Sequence, residues 1–498
     1  MPDSVDLTGR AVHFIGIGGI GMSALAHVLV KRHLPVSGSD IRQSNITQKL
    51  QTLGAQIFWR QDASNFTTLL NGQQNETDHS ALPQVICSTA IHPDNPEYQA
   101  AVELGCPIFH RSDVLAALIQ ETPYGIAIAG THGKTTTSSL VGYVLLQGQL
   151  DPSIIIGGEV AAWEGNARVG DSPYLVAEAD ESDGSLVKFS PQVGVITNIE
   201  LDHPDHYATL DQLLDIFQTF VDRCQSLVLC LDCPTIRDRL IPANSSKDIL
   251  TYSLRAAAGA DYSVQSVDYG ASGTCAQILE KGELLGQINL PLLGEHNLSN
   301  ALAAVAIARQ VGMDFPALAS AFASFEGARR RFEHRGEAQG ICLIDDYAHH
   351  PSEITATLAS ARLQVQPTTD SPEPVYRRVV AVFQPHRYSR THTFIQEFSQ
   401  AFRDADVVVV TDIYSAGEKD NGLITGEQVT ARITEQHQGI VSYQPTLDDV
   451  TQYLYGHLQA GDLVIFLGAG NLNRTIPDVL SYVQKNEADQ TLDQVALL

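Results

Sequence analysis

Tyr124-Gly-Ile-Ala-Ile-Ala-Gly-Thr-His-Gly-Lys-Thr135 begins as a short apolar run, bends through two glycines and continues into the helix-compatible stretch Thr136 to Leu146. A strand, a tight turn and a helix start make a cradle for phosphates. Backbone N–H groups and the positive helix end face the anion, and a lysine reaches the outer phosphates. The stretch therefore predicts an α/β domain with an ATP site formed by Gly130, Thr131, His132, Gly133, Lys134, Thr135 and Thr136. It is shorter than the G-x-x-x-x-G-K-[ST] loop, which needs a glycine where Ile128 stands. An ordinary glycine-rich strand-to-helix turn is the alternative. The two threonine hydroxyls are suited to Mg2+ on the phosphates.

Working outward, short apolar runs alternate with helical patterns along the chain, which predicts an α/β architecture with mainly parallel sheets. Upstream, Val12 to Ile17, Val36 to Ser39 and Gln84 to Ser88 read as strands of a first unit ending near Ile119, with Gln120 to Pro123 as a linker. Downstream, Tyr174 to Ala177, Val193 to Thr197 and Ser226 to Cys230 continue the middle unit. A β-rich insertion follows around Tyr262 to Leu290, then a helix from Asn297 to Val311. The pattern breaks in the arginine-rich stretch Glu326 to Glu337, which reads as a hinge before a third unit. That unit has strands at Ile341 to Ile344, Arg378 to Phe383, Val407 to Thr411 and Leu463 to Leu467, and a loop at Pro367 to Pro374. The length of 498 residues fits about three domains, here 1–120, 121–328 and 329–498.

Composition narrows the function. With 31 basic against 57 acidic side chains the net charge is −26, which argues against a nucleic-acid or anionic-membrane surface. Anionic ligands must be held by local basic groups. Seven cysteines scattered through apolar segments read as reduced core thiols, and Cys230-Leu-Asp-Cys233 as packing at a strand end rather than a zinc site. Asp3 and Asp6 stand where a signal peptide would be basic, and no apolar run is long enough to cross a membrane. A cytoplasmic protein is expected.

Four further constellations carry chemistry. Gly16-Ile-Gly18-Gly19-Ile-Gly21 follows the first strand, with Asp40 after the second, as in a dinucleotide fingerprint. It suits NAD or any other ligand with a diphosphate and a ribose, such as a nucleotide sugar, and the motif does not choose between them; a purely structural glycine turn is the alternative. Glu178-Ala-Asp180-Glu181-Ser-Asp183 ends a strand where Mg2+ on a triphosphate would be held, and Asn198 to His206 ends the next with His203 and His206, histidines suited to a second cation or to phosphate; a solvated acidic loop and a surface turn are the alternatives. Arg329-Arg330-Arg331 reads as a phosphate clamp at the hinge or as a solvated face, and the asparagines of Gly294 to Asn300 as a helix cap. In the third unit, Asp345-Asp346-Tyr347-Ala-His349-His350-Pro351 and Gln384-Pro-His386-Arg387-Tyr-Ser-Arg390 suit a substrate carboxylate gripped by guanidinium forks.

His13 to Met22, Gly130 to Thr135, Glu178 to Asp183, Thr197 to Glu200 with Asp202-His203, Gly294 to Asn300, and Asp345 to Pro351 occur in this order. Together they resemble the Mur ligase family, the amino-acid-adding enzymes of bacterial peptidoglycan synthesis, over nearly the whole chain. The first and last segments look like the members that add L-alanine. The resemblance implies three domains: an N-terminal Rossmann-like domain for the UDP-sugar, a central P-loop ATPase, and a C-terminal Rossmann-like domain for ATP and the amino acid. It implies ATP and Mg2+ as cofactors, and UDP-N-acetylmuramate and L-alanine as substrates. Gly16, Gly18, Gly19, Gly21 and Asp40 then serve the UDP-sugar. Asn300, Arg331 and Asp346 join the turn residues on ATP. Thr135, Glu178 and His203 hold metal, and Tyr347, His349, Arg387 and Arg390 form the amino-acid pocket. Lys134, His203 and His349 are the implied catalytic residues. Several relatives place a carbamylated lysine a few turns beyond the histidine, whereas here no lysine occurs between Lys188 and Lys247. Another amino-acid-adding member of the family is the alternative within it, and an NAD-dependent oxidoreductase with an ATP-binding neighbour and a non-catalytic nucleotide sensor are the competing classes.

Overall fold

Apolar runs without polar alternation need cover on both faces, which parallel strands joined by crossover helices supply. The computed structural model, which describes residues 4–71, 82–244, 246–365, 374–420 and 422–485, shows this pattern in its mainly parallel sheets. The chain divides into two compact units. One comprises Met1–Ile199, Leu213–Tyr252 and Ala303–Leu318, the other Glu200–Gln212, Ser253–Leu302 and Ala319–Leu498.

In the first unit, β1 (Val12–Ile15), β2 (Val36–Ser39), β3 (Gln56–Phe58), β4 (Gln84–Cys87) and β5 (Ile108–His110) form a parallel sheet ordered β3-β2-β1-β4-β5. The order reverses between β1 and β4, so the glycine turn after β1 lies at the crevice where such sheets bind ligands. The carbonyl of Ser39 fixes that turn by accepting the N–H groups of Gly16 and Ile17, both at 2.9 Å. Beneath it, buried His13 meets Ser37 Oγ through Nδ1 at 2.8 Å and Glu97 Oε1 through Nε2 at 2.9 Å, and Asn65 donates to the same carboxylate at 2.6 Å. A buried polar set is tolerated because its members satisfy one another.

The second sheet of this unit uses β6 (Tyr124–Ala129), β7 (Ser153–Val160), β8 (Gly165–Arg168), β9 (Tyr174–Glu178), β10 (Val193–Ile196), β11 (Ser226–Cys230) and β12 (Asp248–Ser253). Their order is β12-β11-β10-β6-β9-β7-β8, with only β7 and β8 antiparallel. Pairing Ile128 with Glu178 and Ala129 with Ile196 sets the carboxyl ends of β9 and β10 on either side of the β6 turn. The helix Lys134–Gln147 that leaves the turn is buried from Thr135 to Leu145. Its serines fit because Ser138 and Ser139 donate to the carbonyl of Thr135.

The second unit holds an antiparallel meander of β13 (Tyr262–Gly270), β14 (Gly273–Glu280) and β15 (Glu283–Leu290). Its other sheet combines β16 (Glu333–Ala338), β17 (Ile341–Asp346), β18 (Arg378–Phe383), β19 (Val407–Val410), β20 (Ile440–Tyr443) and β21 (Asp462–Leu467), ordered β16-β17-β21-β18-β19-β20. All pairs but β16 with β17 are parallel. Alternate residues feed two cores: Ile344, Ala381 and Ile465 pack with Leu358 and Phe398, whereas Leu343, Val380 and Val464 pack with Leu454 and Ile476.

Several predicted spans need correction. The strand from Val12 stops at Ile15 because Gly16 turns with φ 82°, and the helix after the phosphate turn starts at Lys134, not Thr136. The predicted hinge is strand from Glu333 onward. The predicted loop at Pro367 to Pro374 lies, up to 373, outside the described residues, as does Asp3. No helix among the described residues is long and apolar enough to cross a membrane.

Candidate active site

Gly133 is the N-cap of Lys134–Gln147 at φ 81°, and no side chain caps that helix start. Its first backbone donors therefore face outward with the positive helix end. Gly130 sits at φ 133°, where a Cβ would lie 2.1 Å from Thr197 Oγ1, so the turn admits no larger residue. The end of β10 moulds the turn: Thr131 N–H donates to Asn198 O at 3.0 Å, His132 N–H to Asn198 Oδ1 at 2.8 Å, and Thr197 Oγ1 to His132 O at 2.6 Å. Sequence reading gave Thr197 and Asn198 no such role. Their signal was the position, one strand over from the glycine turn.

Lys134 Nζ donates to the carbonyls of Gly130 at 2.7 Å and Thr131 at 3.1 Å and pairs with Glu181, whose Oε2 is 2.9 Å away. Glu181 is fully buried. Burial alone would lower the lysine pKa, but the carboxylates of Glu181 and Asp180 outweigh it and hold the group above its ordinary value. Lys134 is thus a fixed cation at neutral pH. Thr135 Oγ1 donates to Glu178 Oε1 at 3.1 Å, and Glu178 Oε2 accepts from Gly157 N–H at 2.8 Å. A hydroxyl and a carboxylate at the foot of a phosphate turn are hard oxygen donors of the kind Mg2+ takes.

In the glycine turn after β1, Gly18 N–H donates to Asp40 Oδ2 at 2.9 Å, and a Cβ at Gly18 would lie 2.7 Å from that oxygen. Asp40 Oδ1 accepts from Arg42 N–H at 2.9 Å. Asp40 thus fastens the turn as well as lining it. Gly19 caps the helix Ile20–Lys31 without a side-chain bond, and Gly21 lies in its first turn.

The remaining candidates lie in the second unit. Asp346, at the end of β17, accepts from Phe332 N–H at 2.7 Å, Ala348 N–H at 2.8 Å and Thr357 Oγ1 at 3.3 Å, and burial raises its carboxyl to about 6. The Arg331 guanidinium lies 5.3 Å from the Tyr347 ring centre and that of Arg330 4.8 Å away. Asn300 is buried on the helix Glu295–Gln310.

His349 Nδ1 lies 2.9 Å from the carbonyl of Tyr347 and 3.3 Å from Glu353, both acceptors, so Nδ1 carries the proton and Nε2 the lone pair. Burial lowers its pKa to about 4, leaving it neutral at pH 7. Its ring stands 5.6 Å from that of His386, which in turn lies 3.3 Å from Arg390 Nη1. Arg390 is buried with both arms on Asp202, at 2.8 and 3.2 Å. Arg387 is more open and pairs with Asp205 at 2.7 Å. Tyr347 and Arg390 are therefore linked through His349 and His386, the Tyr347 ring lying 5.3 Å from that of His349, and Arg387 follows His386 in the chain; sequence reading quoted His386 without a role. His203, with Nε2 3.7 Å from Asp202, belongs to this unit, whereas Thr135 and Glu178 belong to the other.

Three family models match the chain in order: the Mur ligase family catalytic domain over residues 11–122, the Mur ligase middle domain over 128–308, and the Mur ligase glutamate ligase domain over 330–470. The chain is 66% identical to the UDP-N-acetylmuramate–L-alanine ligase of Acaryochloris marina, over 97% of this chain and 98% of that protein. It is 60% identical to the ligase of the same name from Nostoc punctiforme, again over 97% and 98%. Among solved structures it is similar to the UDP-N-acetylmuramate-alanine ligase MurC of Thermotoga maritima, with a TM-score of 0.76 and 26% identity over 96% of this chain and 99% of that one. The architecture is accordingly a three-domain α/β fold with mainly parallel sheets. The chain belongs to the Mur ligase family.

Proposed function

We propose that this chain joins L-alanine to the lactyl carboxylate of UDP-N-acetylmuramate, converting ATP to ADP and phosphate, as a step of peptidoglycan synthesis. The observation that carries the reading is the Gly130 to Thr136 turn, with an uncapped helix start, a fixed lysine cation and the Thr135 and Glu178 oxygens at one place. We further propose domain boundaries at 1–120, 121–328 and 329–498, supported by the extents of the three family matches. The cytoplasm is the proposed compartment, supported by seven free cysteines.

A carboxylate is a poor electrophile at neutral pH, so the acid must be activated. An oxygen of the lactyl carboxylate attacks the γ-phosphorus of ATP, the bond to the ADP oxygen breaks, and an acyl phosphate forms. Lys134 and the N–H groups of the turn offset the charge that gathers on the phosphoryl oxygens. Mg2+, when bound, supplies further charge neutralisation, and Thr135 and Glu178 are the residues that would hold it. The resemblance gives a second cation to His203, a nitrogen donor, and no step depends on it.

The alanine amine is protonated near neutrality and must lose a proton before it attacks the acyl carbon, expelling phosphate. Neutral His349, with its Nε2 lone pair available, is the proposed acceptor of that proton, and Arg387 the proposed grip on the alanine carboxylate. Asn300, Arg331 and Asp346 are proposed for ATP, and Gly16, Gly18, Gly19, Gly21 and Asp40 for the UDP-sugar, with Tyr347 and Arg390 shaping the alanine pocket. Membership in a ligase family leaves the oxidoreductase and sensor readings without support. ADP release assayed with each substrate omitted in turn tests the proposal. Release should require ATP, UDP-N-acetylmuramate and L-alanine together, and equal release without the sugar or without alanine would refute it.

A further inference from the structure

Arg111 stands between two motifs that the reaction above uses separately. It opens the helix Arg111–Glu121, and its Nη2 lies 3.1 Å from Asp183 Oδ2 and 3.3 Å from Asp180 Oδ2, the two acids that flank Glu181. The same helix start adds two more ties. Lys188 Nζ reaches Asp113 Oδ1 at 2.6 Å, and His110 Nε2 is 3.7 Å from Asp183. Inside the loop, Asp180 accepts from Ser182 N–H at 3.1 Å and Ser182 Oγ at 2.8 Å, and Asp183 from Ser185 N–H at 3.1 Å.

The other edge of the guanidinium faces the glycine turn of the first sheet. A Cβ on Gly21 would lie 3.0 Å from Arg111 Nη1, and among the described residues neither Nη1 nor Nε donates a hydrogen bond. One cation therefore clamps an acidic loop with one arm and presents unbonded donors to a glycine-rich helix start with the other. Fork geometry lets arginine do both at once, which an ammonium cannot.

We propose that Arg111 is a positioning residue that couples the two nucleotide sites. An anionic group of the UDP-sugar at the Gly16 to Gly21 turn engages its Nη1 edge. The fixed guanidinium then holds Asp180 and Asp183, so that Glu181 keeps Lys134 in place for ATP. The coupling is reciprocal, each ligand tightening the other by the same factor. This rests on the ligase reading above.

The test is the affinity of a non-hydrolysable ATP analogue, by calorimetry, with and without saturating UDP-N-acetylmuramate. The unmodified enzyme should bind the analogue about tenfold more tightly when the sugar is present, within the usual range for coupled sites. Arg111→Gln should reduce that enhancement to less than about twofold, and Arg111→Lys should recover part of it. Asp183→Asn, which cuts the link from the loop side, should lose it as well, with circular dichroism and melting checked for each variant. A full enhancement in folded Arg111→Gln, or none in the unmodified enzyme that still releases ADP, overturns the proposal while the ligase reading stands. Failure of the unmodified enzyme to release ADP with all three substrates brings down the ligase reading instead.

Discussion

Lys134 and Glu181 show how a residue chosen for chemistry becomes part of the fold. The lysine side chain is 13% exposed and the glutamate not at all, so the two charges face each other out of solvent. Removing one partner of a buried pair leaves an uncompensated charge, at a cost of about 3–5 kcal/mol. Lys134→Ala should therefore abolish ADP release and also lower the melting temperature, while Lys134→Ala with Glu181→Gln should recover the stability and none of the activity. Melting curves and the ADP assay on both variants check this, and a single variant as stable as the parent contradicts it. Arg387 and Arg390 of the second unit divide in the same way. Burial would raise the Asp202 carboxyl, but Arg390, His203 and His350 hold it below the ordinary carboxylate range. Its contribution to stability is therefore present above about pH 4, the ordinary aspartate value, and is lost as the pH falls through its own lower value. Arg390→Ala should cost about 3–5 kcal/mol at pH 7, with the penalty shrinking in acid. Arg387→Ala, at a third exposed, should barely move the melting temperature and should raise the KM for alanine.

At the scale of elements, what the sequence made legible follows from burial. The strands Val36–Ser39, Ser226–Cys230 and Arg378–Phe383 coincide with the predicted spans because every one is an apolar or small-residue run packed on both sides. The missed strands Gln56–Phe58 and Ile440–Tyr443 are short and partly exposed, so no run marks them. Among the proposed site residues, the two glycine turns and the acids after β9 stand out in the sequence because backbone geometry and metal chemistry restrict residue type. Thr197, Asn198, His386 and Arg111 do not, since their roles depend on neighbours far away in the chain. Asp40 was legible only in part: its spacing suggested a ligand carboxylate, whereas its bond to Gly18 N–H needed the folded turn. That bond makes a prediction for the element. Gly18→Ala should push Asp40 aside, destabilise the enzyme by about 1–3 kcal/mol as overpacking does, and raise the KM for the UDP-sugar more than that for ATP. Equal changes in the two KM values would show that the turn is not the sugar's site.

For the whole molecule, the predicted class held: an α/β chain of three domains with mainly parallel sheets, whose net charge of −26 places anion binding on a few local groups. Two glycine turns, each at the carboxyl end of a central strand, and a third sheet with a cluster of histidines and arginines at its strand ends are the proposed sites of an acid-activating ligase. The proposed reaction requires that the phosphoryl group of ATP is passed to the sugar's carboxylate before the amide forms. Oxygen-18 in the lactyl carboxylate reports it directly. One labelled oxygen should leave in the inorganic phosphate of every turnover, detected by mass spectrometry, and be lost with that phosphate in Lys134→Ala, which should form none. Label found in AMP, or retained entirely in the amide product and solvent with unlabelled phosphate, would contradict the mechanism.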